Sequence, residues 1–381
     1  MGKKRAKDQD IRKDRTIEYL HGPLRILDIF DYDDGVLSED VCKILKEIKG
    51  ELNIEKFADG DREALIKDSS RGRDIYVFQS YVEPIGERLY ELALFLDASK
   101  KGGHVQRANV VMPFLFGSRG ERRVRARQSV QALVVAKIIK FLGGDLVLTT
   151  GMHAPALGTI YNAVGLDGLD FENLDLEYVA AKFIINEYNG KEIAIVSPDV
   201  GGAKRVKKLA SIVRDNSDIK IKMVIGDKER EQANVVKNLE LIGSTKDLDT
   251  IILDDIADTL GTAKATAKAC KEQGAKNVIA LLYHPVLGEG YENVLEQTLD
   301  KHFVDEFLFF DTIPLKDYAK NEKRVKLISC APFIAEAIKR INVNRTVSGL
   351  HEYKQIKEAY RKANSIPGLS YSGNKKYVRI G

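Results

Sequence analysis

The sequence contains no tryptophan and only three cysteines, six histidines and nine prolines in 381 residues. Cys42, Cys270 and Cys330 lie far apart with no CxxC pair, which argues against a disulfide framework and against a cysteine zinc site. Their odd number is typical of a reducing compartment, and we expect a cytoplasmic protein. No stretch approaches the ~20 apolar residues of a membrane span, and the basic start lacks the apolar segment of a secretory signal.

The charge of the chain is concentrated at its two ends. Residues 1–15 carry seven basic and three acidic side chains, and residues 351–381 carry seven basic and two acidic ones. Since the whole chain has a net charge of +4, the body between these ends is at 4 − 4 − 5 = −5. An acidic body does not favour a nucleic-acid groove, which would concentrate Lys and Arg on folded elements. We therefore expect solvated, flexible basic extensions and neither a membrane nor a nucleic-acid partner. The alternative is that these tails contact nucleic acid or an acidic membrane.

Short β-branched stretches recur along the chain, and each is followed by a loop and a helical pattern. Nearly continuous apolar stretches of this kind are typical of parallel strands that are covered on both faces. Their alternation with helices predicts an α/β fold with doubly wound parallel sheets, and ten strands exceed one such unit. The predicted strands are 24–30, 74–80, 108–114, 145–151, 192–199, 221–227, 250–255, 277–283, 306–312 and 325–331.

The order of the elements predicts two α/β domains in tandem. Amphipathic patterns predict helices over 123–143, 203–215 and 261–274, and a further helical pattern begins at His351. The Gly- and Asp-rich stretch 162–175 is the expected boundary, which gives domains over 23–172 and 173–330. A basic extension over 1–22 precedes them, and another over 351–381 follows them and is expected to pack weakly.

The most informative segment is TIILDDIADTLGTAKATAKA, residues 250–269. A turn of small residues between a strand and a helix aims backbone N–H groups and the helix N-terminus at one point, which favours an anion. Thr259 and Thr262 add hydroxyl donors, and Gly261 permits close approach of a ligand. Asp254 and Asp255 are acceptors suited to the hydroxyls of a sugar. The loop is therefore predicted to bind a ribose and its 5-phosphate. The alternative is an ordinary turn in which Asp and Thr are helix caps.

Several further segments, taken with this loop, resemble one family. VSPDVGGAKR (196–205) and KEREQAN (228–234) resemble segments of the ribose-phosphate diphosphokinase, or phosphoribosyl pyrophosphate synthetase, family. Other segments fall in the family's order and spacing, namely FADGD (57–61), RGRDIYVFQS (71–80), MHA (152–154), DTIP (311–314) and AEAIKR (335–340). The resemblance implies domains of the phosphoribosyltransferase type, with the first domain completed by residues 331–350.

The resemblance also implies an activity and residue roles. The family moves the β,γ-diphosphoryl group of ATP to the 1-hydroxyl of ribose 5-phosphate with Mg²⁺ as cofactor, for nucleotide biosynthesis. It implies catalytic roles for Lys228 and Arg230, and it implies metal binding by His153 and Asp199. The residues implied to bind ribose 5-phosphate are Asp199, Asp254, Asp255, Ala257, Asp258, Thr259, Gly261 and Thr262.

For ATP, the resemblance implies stacking of adenine on Phe57 and polar contacts from Asp59 and Asp61. In the family these residues come from a neighbouring subunit, which implies a homo-oligomer with shared active sites. Arg119 and His153 complete the implied ATP-binding set, and Arg119 lies in the basic stretch 118–127.

This chain departs from the family in several places. Gly151 stands where the family has an Asp two residues before its His, and Gly120 stands where it has Gln. These two glycines motivate one alternative to the active enzyme, a non-catalytic homologue. The segment after His153, which is longer than the family's, motivates another, a diphosphokinase that acts on a larger ribosyl phosphate such as ADP-ribose. Lys228, Arg230 and the intact loop favour the active enzyme. The absence of GxGxxG, GxxxxGK[ST] and GxSxG motifs argues against a Rossmann dinucleotide site, a P-loop and a hydrolase elbow.

Overall fold

The computed structural model describes residues 20–29, 36–232 and 235–380, and their side chains except at 36, 228–238 and 372–373. The first half of the chain forms a five-stranded parallel sheet in the order β1-β4-β5-β6-β7, with a separate β2–β3 hairpin. Its elements are β1 Leu24–Asp28, α1 Val36–Leu45, β2 Leu52–Lys56, β3 Arg62–Ile66, β4 Asp74–Phe78, α2 Ile85–Asp97, β5 Arg107–Val111, α3 Gln131–Phe141, β6 Leu146–Thr150, α4 Ala156–Asn162 and β7 Asp170–Leu174.

The second half forms a seven-stranded sheet in the order β10-β9-β8-β11-β12-β13-β14, in which only β10 is antiparallel to its neighbour. Its elements are α5 Glu177–Tyr188, β8 Glu192–Ser197, α6 Ala203–Asn216, β9 Lys220–Gln232, β10 Val235–Ile242, β11 Asp249–Ala257, α7 Gly261–Glu272, β12 Val278–Pro285, α8 Tyr291–Asp300, β13 Glu306–Phe310, α9 Asp317–Asn321, β14 Val325–Ile328, α10 Ala331–Asn342, α11 Tyr353–Asn364 and α12 Ser370–Gly373.

All ten predicted strands are present, and the α/β class with parallel sheets is confirmed. The sequence analysis missed the β2–β3 hairpin, β7 and β10. The expected boundary stretch 162–175 contains β7, which is the last strand of the first sheet.

The helix predicted over 123–143 is too long, because α3 begins only at Gln131. Arg127 has a left-handed backbone (φ 63°), which interrupts a helix. The side-chain oxygen of Gln128 accepts the backbone N–H groups of Val124 and Arg125, both at 3.0 Å. These two bonds close a loop where the spacing of apolar residues predicts a helical turn.

The two sheets share one hydrophobic layer. Residues of both sheets belong to a single buried cluster together with residues of α1, α5, α6, α10 and α11. Helix α10 packs against α1, and the amide of Asn342 in α10 donates to Asp74 at the start of β4 (2.8 Å). A helix late in the chain thus covers the first sheet.

The expectation that residues 351–381 pack weakly is wrong. Helix α11 buries Ile356, Tyr360 and Ala363 in the shared cluster. Further along, the backbone of 376–378 forms two hydrogen bonds with Leu327 in β14, both 2.8 Å long. The apolar residues of α11 recur with the helical period of 3.6, which indicates a packed face. The many Gly, Ser and Lys residues of the segment make its overall composition polar, so composition alone does not indicate this packing. None of the helices in the described ranges is long and apolar enough to cross a membrane.

A buried carboxyl group near β13 makes stability depend on pH. Asp311 accepts the backbone N–H of Cys330 on Oδ1 (2.7 Å), while its Oδ2 has no hydrogen-bond partner among the described residues. Burial raises the pKa of Asp311 to about 7, and the charge of Asp40 acts in the same direction. The folded protein therefore holds a proton that the unfolded chain has lost between about pH 4 and pH 7. Its free energy of unfolding should fall across this range as pH rises.

We expect Asp311→Asn to remove this loss, because Asn keeps the acceptor for Cys330 without the charge. The variant should gain a few kcal/mol over the parent at pH 8 and little at pH 4, measured by urea unfolding. Asp167→Asn, at an exposed loop position, is the matched control. A parallel shift of the Asp311→Asn and parent curves at both pH values would contradict the assignment.

Candidate active site

The candidate site lies where the carboxyl ends of strands from the two sheets meet. β6 leads into Gly151 and His153, and β11 ends in the loop that follows Asp254 and Asp255. Ligands of open α/β sheets bind outside the carboxyl ends of the strands. The hydrogen bond from His153 to Asp255 therefore joins the two domains at the edge where substrates are expected to bind.

Asp255 is the centre of the polar cluster. Its Oδ2 accepts the Nδ1–H of His153 and an Nη2–H of Arg205, both at 2.7 Å. Burial opposes ionisation of this side chain, but His153 and Arg205 outweigh it and hold the pKa of Asp255 well below its usual range. The same bond raises the pKa of His153. Asp255 is thus an anion fixed by two partners.

Asp254 differs from its neighbour in environment. Its Oδ1 accepts the backbone N–H of Asp255 (2.9 Å), and its side chain is 23% exposed against 9% for Asp255. Burial, with the adjacent charge of Asp255, raises the pKa of Asp254. The sequence analysis assigned both carboxylates to the hydroxyls of the sugar. The geometry distinguishes them, because only Asp254 combines exposure with an oxygen not bound by His153 or Arg205.

The loop after β11 has the geometry of an anion site. Leu260 has a left-handed backbone (φ 63°), which is unusual for a branched residue and is characteristic of functional turns. It is buried and precedes α7, which begins at Gly261, so Thr259 and the first N–H groups of the helix surround one point. A Cβ added at Gly261 would be 3.6 Å from the nearest protein atom, the Oγ1 of Thr259. The packing of the protein therefore leaves space for a side chain at position 261. A glycine would be needed there only to let a ligand approach the backbone closely.

Arg119 and Asp258 join the loops of the two domains. Arg119 Nη1 lies 2.7 Å from Asp258 Oδ2, and both side chains are partly exposed. Gly288 makes room for this aspartate, since a Cβ there would lie 2.2 Å from Asp258 Oδ1. Beside Arg119 lies a cavity of about 380 Å³, whose lining includes Tyr81, Phe114, Phe116 and Val286.

Both the backbone conformation and the packing around position 151 favour a glycine. It has φ 52°, and an added Cβ would lie 2.8 Å from Leu176 Cδ1 and 3.2 Å from Tyr283 Cδ2. Its carbonyl accepts the Nε2–H of the buried His284 (3.0 Å), whose Nδ1 lies 2.9 Å from Thr312 Oγ1. Burial lowers the pKa of His284 to about 4, so this imidazole is neutral. The carboxylate that the family has here would meet strain and a steric clash.

The two side chains implied to bind metal are not joined to each other. His153 has its hydrogen bond with Asp255, and Asp199 Oδ1 accepts the N–H of Gly202 (3.0 Å) in the turn after β8. Among the described residues, no group of three or more His, Cys, Asp or Glu side chains could hold a metal. Mg²⁺ commonly keeps its waters and binds through one or two carboxylates with substrate phosphates, so this arrangement fits an ion that arrives with a nucleotide.

The residues implied to hold adenine lie in the turn of the β2–β3 hairpin. Phe57 is 43% exposed, and the backbone N–H of Asp61 donates to Asp59 Oδ1 (3.0 Å). The hairpin is fixed to α2, where the Tyr90 hydroxyl donates to Asp61 (3.3 Å) and Arg62 pairs with Glu91 (2.6 Å). Among the described residues, the hydrogen bonds and ion pairs of Asp59 and Asp61 stay within the hairpin and α2.

Lys228 and Arg230 lie on β9, but their side chains are outside the described part of the structure. Strand β8 pairs with β9 only as far as Ile225, and beyond that β9 pairs with β10 alone. The backbone of both residues therefore belongs to a hairpin that extends past the sheet.

The sequence analysis did not single out Arg205, His284 or Gly288. Arg205 stands within the VSPDVGGAKR segment, where a Lys-Arg pair at the start of a helix resembles any basic surface. His284 lies near the end of the buried strand β12 and Gly288 in the loop after it, both as isolated residues. Their partners lie more than 25 positions away, so no local pattern indicates them.

Comparisons with known proteins agree with this architecture. Residues 32–143 match the model of the N-terminal domain of ribose phosphate pyrophosphokinase, and residues 179–307 match the phosphoribosyl transferase domain. The phosphoribosylpyrophosphate synthetase structure from Mycobacterium smegmatis has a TM-score of 0.72 at 23% identity, and the match covers 84% of this chain and 99% of that one.

Relatives of higher identity show which family the chain belongs to. A ribose-phosphate pyrophosphokinase of Xylella fastidiosa (strain Temecula1) is 33% identical over 317 residues, which are 83% of this chain and 93% of the relative. Ribose-phosphate pyrophosphokinase 2 of Enterococcus faecalis is 33% identical over 318 residues, or 84% and 93% of the two chains. With this identity spread over both domains and the sugar-phosphate loop intact, the chain belongs to the ribose-phosphate pyrophosphokinase family.

Proposed function

We propose that this protein transfers the β,γ-diphosphoryl group of ATP to the 1-hydroxyl of ribose 5-phosphate, which gives 5-phosphoribosyl 1-pyrophosphate and AMP. The observation that carries the proposal is the end of β11 with the loop that follows it. Asp255 is fixed by His153 and Arg205 beside the more exposed Asp254, and a left-handed residue and a helix N-terminus follow, next to the Arg119–Asp258 pair between the domains. The family membership of the chain supports it.

The loop offers separate places for the two ends of the sugar phosphate. The N–H groups at the start of α7, with the hydroxyls of Thr259 and Thr262, would hold the 5-phosphate. Asp254 at the end of β11 would accept from the ring hydroxyls. The 1-hydroxyl would then lie toward the loop that carries Arg119, on the side of the other domain.

The reaction forms a bond between the 1-oxygen of the sugar and the β-phosphorus of ATP, and it breaks the bond to the α,β-bridging oxygen. The hydroxyl proton is released, and AMP leaves. Most of the catalysis of such transfers comes from positioning and from charge stabilisation. Arg119, Lys228 and Arg230 are the cations proposed to supply that charge.

We assign Mg²⁺ as the cofactor, carried by the phosphates of ATP. His153, whose Nδ1 is fixed by Asp255, and Asp199 at the end of β8 are the side chains that would face it. When bound, the ion would neutralise charge on the transferred group. Because the three cysteines are buried and unpaired, we place the reaction in the cytoplasm.

The test is AMP release from ATP and Mg²⁺ with ribose 5-phosphate as acceptor, compared in parallel with ribose and with ADP-ribose. We expect AMP and 5-phosphoribosyl 1-pyrophosphate to form in equal amounts with ribose 5-phosphate alone. Product only with ADP-ribose, or no product with any acceptor, would overturn the proposal.

We further propose that the hairpin of one subunit completes the active site of another, because Phe57 is exposed and, within the described part of the chain, the polar contacts of its hairpin do not include Arg119. The protein should then be a dimer or larger by light scattering.

Co-expression of two inactive variants tests the shared site directly. When Phe57→Asp and Lys228→Ala chains are co-expressed, random pairing should leave about a quarter of the sites intact, since half of the dimers are mixed and one of their two sites carries no substitution. Activity no higher than that of the two separate variants would contradict shared sites.

A further inference from the structure

Arg205 is the buried cation to which the polar groups of the site converge. It lies in the first turn of α6, and its side chain is 16% exposed. Its Nη2 lies 2.7 Å from Asp255 Oδ2, and its Nη1 lies 3.9 Å from Asp254 Oδ1. One guanidinium therefore spans both aspartates at the end of β11.

Other groups hold the same guanidinium in place. Its Nε lies 4.0 Å from Oε1 of Glu177, the first residue of α5, which is buried. Its carbon lies 5.7 Å from the centre of the Tyr283 ring, within the range of a cation–π contact. The planar guanidinium is thus fixed by an acid and a ring as well as by the aspartates, which a flexible lysine would not reproduce.

The effect of Arg205 extends to His153, because both side chains donate to the same oxygen atom. Asp255 Oδ2 accepts from both Arg205 and His153, so Arg205 fixes the carboxylate that orients the imidazole across the domain boundary. Removing the cation would take one partner from Asp255, which keeps His153, and one from Glu177, which keeps Lys208 at 4.0 Å. A buried carboxylate that loses a cation moves or takes a proton. The orientation of Asp254, one residue earlier on the same strand, would change with it.

We propose that Arg205 is a positioning residue for the acceptor sugar: it holds Asp255, and through it Asp254, in the arrangement that binds ribose 5-phosphate, without touching the substrate itself. This inference rests on the proposed function, since it takes the sugar to bind at Asp254. Groups that orient ligating side chains from behind commonly change affinity by about 10–100-fold when replaced.

Arg214 provides a matched control on the same helix. Its Nη2 donates to the carbonyl of Ile221 (2.7 Å), which is a structural bond far along α6 from the site. Arg214→Gln should lower stability without changing sugar affinity. Comparing it with Arg205→Gln separates a local effect on the site from a general loss of stability.

The experiment measures binding of ribose 5-phosphate and, separately, of ATP by calorimetry, for the parent, Arg205→Gln, Arg205→Lys and Arg214→Gln. We expect Arg205→Gln to weaken sugar binding by about 10–100-fold and ATP binding by clearly less, since it reaches His153 only through Asp255 while Phe57, Asp59, Asp61 and Arg119 lie on other segments. Arg205→Lys should fall between parent and Gln, and it replaces Arg205→Gln if that variant does not fold. Adding Arg205→Gln to Asp255→Asn should cause little further loss, because the two residues act as one unit.

The outcomes separate this inference from the proposed function. If the parent itself does not bind ribose 5-phosphate, the proposed function fails. If the parent binds the sugar and a folded Arg205 variant binds it equally well, the positioning role is wrong. Equal losses for sugar and ATP, or losses that add in the double variant, would also overturn the inference.

Discussion

Lys228→Ala and Arg230→Ala are each expected to lower kcat by about a hundredfold or more, with little change in ATP affinity. Negative charge is shared around the β-phosphorus during the transfer, and cations that meet it mainly in the transition state lower the barrier without tightening the ground state. Both residues belong to the part of β9 that extends beyond its pairing with β8.

Steady-state kinetics with ATP and ribose 5-phosphate varied separately would check this expectation. Lys222→Ala is the control: Lys222 lies on the same strand, but within the paired part, where it contacts Glu192 (3.6 Å). Its turnover should equal that of the parent. Near-normal turnover in both Ala variants would mean that the charges of KEREQAN are only solvated and that the catalytic roles implied by the family do not transfer.

The second large effect is expected at the end of β11. Replacing Asp254 and Asp255 together by Asn should weaken ribose 5-phosphate by about a hundredfold, since hydrogen bonds to charged groups contribute about 1.5–3 kcal/mol each. The single variants should differ. Asp254→Asn removes one ligand group, whereas Asp255→Asn also breaks the bonds to Arg205 and His153 and leaves the cation buried.

Asp255→Asn should therefore lower the melting temperature as well as the affinity, while Asp254→Asn should affect mainly affinity. Calorimetric titration and thermal unfolding of the three variants measure both quantities. Unchanged sugar affinity in the double variant would show that the ribose binds elsewhere.

Much of this site follows from sequence because its parts are contiguous. The strand, the aspartate pair, Thr259 and Gly261 lie within twelve positions, so local patterns are enough to predict a phosphate-binding turn. Parallel strands covered on both faces produce apolar stretches with clear ends, which is why all ten predicted strands are present.

The features of the site that could not be predicted from the sequence depend on residues far away along the chain. The difference between Asp254 and Asp255 is set by Arg205, about 50 positions earlier, and by His153, about 100 positions earlier. The need for glycine at position 151 arises from the packing of Leu176 and Tyr283. β2 and β3 were not predicted because they are only partly buried and so lack the apolar stretch that is typical of a buried strand.

The packing of α10 on α1 has a consequence for how the protein is made. α1 ends at Leu45, whereas α10 begins at Ala331, so the ribosome adds nearly the whole second domain before the first can bury that face. At about 5–20 residues per second, roughly 15–60 s pass between synthesis of the two helices. During that interval the part of the α1 surface that α10 covers in the folded protein stays exposed. We therefore expect the nascent first domain to depend on chaperones, and a fragment that ends just after β7, near residue 175, to aggregate.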